Sequence, residues 1–458
     1  MLENKMVNDF ETLPVMKAVL KNAIPAMAAM LMVLVYNLAD TFFIGQTDDA
    51  FQVAAVSLAT PVFLLFMAMG TVFGIGGTSV ISRALGEKRD DYARKVCAFC
   101  MWGCVVVGVM RAAAFLIFMD QILAVIGASA DTWEYAKTYL SIVSFSGPFM
   151  LISNCYSNVV RAEGQSGKAM MGQVIGNLLN IVLDPILILG FGWDIAGAAV
   201  ATVIGNVFGA VYYILFYVRG DSALSIRLRD AAIGDKVMHS VLAIGVPAAL
   251  ASILMSVSQI LINSEMAQYS DMAVAGMGVA MKVVMITGML CMGLGQGIQP
   301  LLGYCVGARL WERFRAVLRF SLIFAFILGA MLTALCYIFT EQLVGAFLTD
   351  AAAFDYAYTF SRIMLVTSVI FGVFYVLINA IQAMGAGGAA LIINASRQGI
   401  IFIPALYILS TWLGLTGLVW AQPVADVLSF MLAIVLYSYT YRRLSRSVVE
   451  ASSQIAAV

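Results

Sequence analysis

The sequence predicts an all-α polytopic membrane protein, with twelve transmembrane helices in two six-helix lobes related by pseudo-two-fold symmetry. Three observations carry that fold class. Of 458 residues, 62% are hydrophobic and 11% charged, whereas a soluble domain carries about 25% charged residues. Apolar runs near the ~20 residues needed to cross a bilayer recur along the whole chain. The second half also repeats the first at a nearly constant offset. Ile24-Pro25 matches Val246-Pro247, LGEKRDDYARK from Leu85 matches VGARLWERFRA from Val306, RAEGQSGKA from Arg161 matches QAMGAGGAA from Gln382, and IAGAAVA from Ile195 matches LTGLVWA from Leu415.

The elements follow in order. The polar, charged N-terminal stretch precedes a first apolar run long enough to span. No A-x-A-type site follows that run, so no cleavable signal peptide is expected. Span 1 covers 16–43 and holds Pro25 and Asp40. Span 2 covers 51–80 and leads into a basic loop. Span 3, at 95–119, holds Cys97, Cys100 and Cys104 on one face and Arg111 further along. Spans 4, 5 and 6 cover 137–160, 168–190 and 195–218. The stretch RGDSALSIRLRDAAIGDK, 219–236, is the most polar internal segment and marks the half boundary. Spans 7 to 12 cover 237–263, 272–301, 315–339, 355–382, 391–411 and 416–440. The expected organisation is an N-lobe at 1–220, a linker at 221–236, a C-lobe at 237–441 and a tail at 442–458.

Charge fixes the expected orientation. Arg and Lys crowd alternate connections, at 83–95, 161–168, 219–236, 309–319 and 442–446. The opposite connections carry Asp48, Asp49, Asp120, Asp131, Asp194, Asp271, Glu341, Asp350 and Asp355, with Lys137 nearly the only basic residue. Basic loops stay in the cytoplasm, so both termini are expected there, in the cell membrane. Six spans per half means both repeats enter with the same orientation. That is the parallel-repeat transporter plan, with a site between or within the lobes and alternating access by rocking.

Two aspartates sit deep in apolar runs: Asp40 in VLVYNLADTFFIG and Asp184 in IGNLLNIVLDPILILG. A carboxylate at a helix centre costs roughly 2.5–3.5 kcal/mol even on gentle insertion scales, so such residues mark ion or substrate pathways. Asn177, Asn180 and Asp184 fall on one face of span 5 at i, i+3, i+7. Asn37 and Asp40 are i, i+3 on span 1, beside Tyr36. Thr202 and Asn206 are i, i+4 on span 6. Carboxylate, amide and hydroxyl oxygens suit a hard monovalent cation or a shared proton. Asp40, Asn180, Asp184 and Thr202 are therefore the candidate cation or proton site, with Tyr36, Asn37, Asn177 and Asn206 as supporting candidates. Pro25 and Pro185 free backbone carbonyls and are candidate hinges.

The positions that match Asp40 and Asp184 in the second half fall near Ile262 and at Pro404, and that half offers mostly neutral amides, among them Gln259, Asn263 and Gln398. Gln259, Lys282, Met285, Arg397 and Asp426 are the substrate-cavity candidates there. Asp426 matches Asn206 in the repeat. Met281, Met285, Met289 and Met292 form a stripe on span 8. Flexible thioethers and aromatic faces suit flat organic cations. Arg111 stands apart, with no counterpart in the repeat, and the sequence offers only snorkelling or an altered residue as its account.

Other chemistries lack their residues. The seven cysteines are an odd number inside apolar helices, and the Cys97 cluster has no His or carboxylate beside it, so packing is its expected role. His239 is the single His. GQSGKA at 164–169 lacks the hydroxyl residue and leading Gly of a nucleotide loop. No catalytic triad or zinc ligand set is present, so no enzyme, cofactor or metal beyond a coupling Na+ is expected. Zero formal net charge gives no reason to expect nucleic acid. A monomer in the lipid bilayer is expected.

These residues resemble the multidrug and toxic compound extrusion (MATE) transporters over nearly the whole chain. The resemblance rests on IPAMAAMLMVLVYNLADTFFIG at 24–45, GTSVISRALGEKR at 77–89, VVRAEGQSGKA at 159–169, NLLNIVLDPILILGFGWDIAGAAVAT at 177–202 and SRQGIIFIP at 396–404. The bacterial branch with its acids in the N-terminal lobe is the better match. The resemblance implies an efflux antiporter for organic, often cationic, compounds coupled to H+ or Na+. It also implies that Asp40, Asn180, Asp184 and Thr202 form the cation site. Branches that couple through C-lobe acids are a poorer match, because span 10 has none and Glu265 lies at the edge of span 7. The alternative reading is a flippase for lipid-linked oligosaccharides of the same superfamily, which Lys282 and Arg397 would serve.

Overall fold

The computed structural model describes residues 5–44, 50–126, 129–220, 222–231, 234, 236–348 and 351–456. Asp48, Asp49 and Asp350 of the acidic connections, and position 221 at the expected start of the linker, lie outside the described residues, as does the Asp271 side chain. Among the described residues, ten helices are long and apolar enough to cross a membrane, and an eleventh crossing is made by a bent pair.

A short helix, Lys5–Thr12, precedes the first lobe. Spans 1 to 3 are Val15–Ile44, Ala50–Gly86 and Asp90–Ile117. Span 4 is two helices, Ala130–Phe145 and Gly147–Ala162. Span 5 is Ser166–Asp184 continued by a π-helical turn, Pro185–Gly190, and span 6 is Asp194–Val218. In the second lobe, spans 7 to 9 are Val237–Ala267, Asp271–Gly307 and Trp311–Ile338. Span 10 is Ala351–Ser368 and Phe371–Ala383, bent by 49°. Span 11 runs Gly387–Ala395, a π turn at Ser396–Ile400, then Phe402–Leu413, and span 12 begins the helix Leu415–Ala456.

Both fourth spans are therefore broken where an uninterrupted run was expected, and the two breaks have different causes. In the first lobe Pro148 cannot donate a backbone hydrogen bond, which ends the ladder at Ser146-Gly147-Pro148. The second lobe has no proline there. Instead the Ser368 hydroxyl turns back onto the Met364 carbonyl at 3.5 Å, competing with the helix's own bonds.

The lobes meet through spans 1 and 2 of the first and spans 7 and 8 of the second. Hydrogen bonds across this seam lie at the end of the molecule that carries the basic connections. Ser79 Oγ donates to the Gln382 carbonyl at 2.5 Å, and Arg161 Nη1 to Gln296 Oε1 at 2.8 Å. Backbones approach closely there because glycines face them. A Cβ on Gly245 would strike the Val72 carbonyl, and one on Gly307 the Arg83 carbonyl. Lipid supplies no hydrophobic drive between helices, so such small-residue contact is what holds membrane helices together. The N-terminal helix ties the same end to the opposite lobe. Arg313 donates through Nε to the Phe10 carbonyl and through Nη2 to the Leu13 carbonyl, both at 2.6 Å.

The connection after span 4 buries Glu163 completely. Tyr217 donates to its Oε1 at 2.7 Å, and Ser222, at the start of the inter-lobe segment, to its Oε2 at 2.5 Å. Burial pushes this carboxyl up to about 7, against the pull of the two donors. A folded-state value above the ordinary 4.5 means the native protein holds the proton more tightly than the unfolded chain. This group therefore adds stability as pH falls from about 7 toward 4.5 and removes it as pH rises. Glu163→Gln is expected to flatten that slope. It should raise stability near pH 8 by on the order of 3 kcal/mol, read from thermal unfolding in detergent across pH 5–8.

Arg111 does not snorkel. It is 4% exposed, its guanidinium stacks 3.8 Å from the centre of the Phe66 ring, and its three nitrogens have no hydrogen-bond partner among the described residues. Span 3 crosses span 4 through the Gly108 and Gly147 backbones, with Arg111 against Gly147. That crossing holds the side chain inward.

Candidate functional site in the first lobe

The polar stripe of span 5 meets span 6 because two glycines let their backbones touch. A Cβ on Gly176 would lie 2.8 Å from the Gly205 carbonyl oxygen, and one on Gly205 would lie 2.6 Å from that of Gly176. One turn beyond this crossing, Asn180 faces Thr202. Turned so that its nitrogen faces the carboxylate, the Asn180 amide donates to Asp184 Oδ2 at 3.0 Å. Its oxygen accepts from Thr202 Oγ1 at 3.3 Å and from the Thr202 backbone N–H at 3.0 Å. Span 1 closes the cluster. Tyr36 hydrogen-bonds Thr202, and the half-buried Asp40 lies within electrostatic reach of Asp184 and of Tyr139. The structure thus brings Asp40, Asn180, Asp184 and Thr202 together from three helices.

Asp184 is fully buried, and its Oδ1 has no hydrogen-bond partner among the described residues. Among the described residues, no Lys or Arg forms an ion pair with either Asp184 or Asp40. A buried charge without partner is expensive, and two neighbouring carboxylates compound the cost. A single proton, or a monovalent cation held by hard oxygens, relieves both at once. Asp184 Oδ1, Asp40 and the Thr202 and Tyr36 hydroxyls are the oxygens available to it.

The supporting candidates divide. Asn206 and Asn37 turn their amide nitrogens onto their own helices, at the Thr202 and Val33 carbonyls, 2.9 and 2.8 Å away. Asn177 instead leaves its buried Nδ2 unpartnered, and so does Gln173 with its Oε1. Gln173 is a residue the sequence reading missed. It stands i−4 from Asn177, so extending the stripe by one turn would have found it. Tyr139, on span 4, was also missed, and no periodicity could have tied it to spans 1 and 5. Span 1 passes through Pro25 as one helix, while Pro185 opens the π turn directly after Asp184.

The second lobe differs in kind. Gln259 Nε2 contacts Met281 Sδ at 2.7 Å, and the Lys282 ammonium lies 5.2 Å from the centre of the Phe347 ring. Met285 is half-buried. Arg397 and Asp426 form a buried ion pair, Nε to Oδ1 at 2.7 Å. Gln422 also donates to Oδ1, at 2.9 Å, and Thr367 donates to Oδ2 at 3.0 Å. Arg397 and Asp426 stand at the repeat positions of Asn177 and Asn206. The second lobe thus supplies its own cation where the first leaves its carboxylates unpaired.

Comparison with known proteins agrees with this architecture. The MatE family model matches twice, at residues 25–186 and 247–408, once in each lobe. The chain is 31% identical over 439 residues to the multidrug export protein MepA of Staphylococcus aureus, covering 95% of this chain and 96% of that protein. Its identity to MepA of Staphylococcus haemolyticus is 31% over 438 residues, covering 94% and 96%. Among solved structures, a MATE in complex with MaL6 superposes with a TM-score of 0.90 at 25% identity, over 96% of this chain and 98% of that one. A MATE in the straight conformation gives 0.89 at 25% identity over the same shares. By family model, sequence and fold, this chain belongs to the MatE family of multidrug and toxic compound extrusion transporters.

Proposed function

We propose that this protein is a multidrug efflux antiporter of the cell membrane. It exports organic, often cationic, compounds in exchange for H+ or Na+ bound at Asp40, Asn180, Asp184 and Thr202. The observation that carries the reading is the buried Asp184 carboxylate, close to Asp40, with one oxygen free and no ion-pair partner for either acid among the described residues. Such a pair needs a cation from outside the protein, and that requirement couples the site to an ion gradient. The basic connections put the sealed end at the cytoplasm. The opposite side is then the one where drug leaves and the coupling cation enters. Cation binding at the first lobe favours the rearrangement that parts the basic-end seam, and the cation leaves inward as drug is taken up. The likeness to multidrug export proteins supports the substrate class.

The flippase reading requires a free basic surface for pyrophosphate. Arg397 is instead neutralised by Asp426 and the Lys282 ammonium lies near the Phe347 ring, which weighs against it. The test is ethidium efflux from proteoliposomes under an imposed pH gradient, an imposed Na+ gradient, and neither. Efflux driven by one gradient is the expected result. No efflux under any gradient, from correctly folded protein, would reject the antiporter.

A further inference from the structure

We propose that the second lobe contains a subsite for planar organic cations, built from Asp426 and the rings of Phe371, Phe374 and Tyr375. In the conformation sealed at the basic end, Arg397 fills this subsite as a tethered stand-in for the exported compound. The proposal rests on the drug-export reading and deepens it.

The carbon of the Arg397 guanidinium lies 4.8, 5.1 and 5.9 Å from the ring centres of Phe371, Phe374 and Tyr375. Its Nε donates to Asp426 at 2.7 Å and its Nη1 to the Tyr375 hydroxyl at 3.4 Å. Aromatic faces around one carboxylate are the chemistry that recognises a delocalised flat cation, and a guanidinium is such a cation. The cage is also not closed off. Tyr375 is half-buried and the Arg397 side chain keeps 11% of its surface exposed.

The residue that fills the cage is mounted on an irregular element. Arg397 sits in the π turn Ser396–Ile400, and π turns mark functional sites inside helices because their hydrogen bonding is irregular. Ser258 of span 7 donates to the carbonyl of Gln398 in that turn, so the turn's setting is tied to the helix that packs on the first lobe. A change in the seam can thereby reach Arg397. Re-entry of a tethered group is intramolecular and acts at high effective concentration. On this account Arg397 expels bound drug once the basic end has sealed, and Asp426 is never left buried without a partner.

The test is equilibrium ethidium binding to purified protein with no gradient, read by fluorescence. Arg397→Gln removes the internal competitor. A competitor that fills the cage nine-tenths of the time weakens apparent affinity about tenfold, so this variant should bind ethidium about tenfold more tightly and release it more slowly. Asp426→Asn should lose binding. The double variant Arg397→Gln/Asp426→Asn strands no charge, which guards against misfolding, and it should bind as weakly as Asp426→Asn alone. Arg397→Gln that binds no more tightly than the wild type, or a double variant that keeps the tightening, would overturn the subsite. Tightening in a protein that shows no gradient-driven export would keep the subsite and overturn the antiport reading. Normal export with unchanged binding in Arg397→Gln would overturn the subsite alone.

Discussion

Asp184→Asn will abolish gradient-driven efflux while leaving the protein at least as stable as the wild type. The two readouts move apart because of where the charge sits. Asn keeps the shape of the side chain and an oxygen for the Asn180 amide, which donates to Asp184 Oδ2 at 3.0 Å. It removes a buried charge that has no ion-pair partner, and taking away an uncompensated charge does not cost stability in the way breaking a pair does. The coupling cation, however, loses its anionic ligand. A hydrogen bond or contact to a charged group is worth about 1.5–3 kcal/mol, which is roughly a 10–150-fold loss of cation affinity. Ethidium efflux should fall to the leak rate and the thermal midpoint should hold or rise. Efflux at the wild-type rate would remove Asp184 from the site. A collapse in stability would make its role structural. Asp40→Asn should act in the same direction, more weakly, since Asp40 is half-buried.

The second large effect is expected from one methyl-bearing side chain at the seam. Gly245→Val places a Cβ into the Val72 carbonyl of the opposite lobe, so the two helices must stand further apart. Valine is a tolerable helix residue, so span 7 itself should form. What fails is closure. Overpacking costs about 1–3 kcal/mol, enough to shift the conformational equilibrium by roughly 5–150-fold away from the sealed state. The reporter is Ser82→Cys, at a fully buried seam position beside Gly303. The native cysteines are buried. With Gly245 present the new thiol should resist a water-soluble maleimide. With Gly245→Val it should label readily and efflux should be lost. Protection of the thiol in the Gly245→Val background would show that the seam closes by another route.

Much of this architecture could be read from residue order, and the limits of that reading have physical causes. The duplication is strong because matched loops and prolines persist at a constant spacing, and the family model finds the same two halves, at 25–186 and 247–408. Asn180 and Asp184 could be placed on one face because both belong to one regular helix, where spacing alone sets direction. The link from Asn180 to Thr202 depends on the glycine crossing at Gly176 and Gly205, which no periodicity encodes. The breaks in spans 4 and 10 escaped notice for related reasons. One turns on a single proline at a helix start, and the other on a serine hydroxyl competing for a carbonyl.

Arg397 and Asp426 illustrate the difference between listing residues and pairing them. Each was a substrate-cavity candidate by itself. They stand at the repeat positions of Asn177 and Asn206, two residues whose amide nitrogens do not bond to one another in the first lobe, so the repeat gives their places and the structure gives their pairing. Arg111 is the opposite case. Its inward direction comes from a helix crossing at Gly108 and Gly147, and hydropathy alone pointed to the membrane surface.

The central claim is that a cation at the first-lobe carboxylates and a drug in the protein oppose one another. The most direct measurement is ethidium binding to purified wild-type protein and Asp184→Asn, titrated with Na+ at constant ionic strength and, separately, with acid. The account predicts that one of these cations displaces ethidium from the wild type and that Asp184→Asn is insensitive to it. Ethidium held equally at every Na+ concentration and pH, or displaced identically from both proteins, would contradict it.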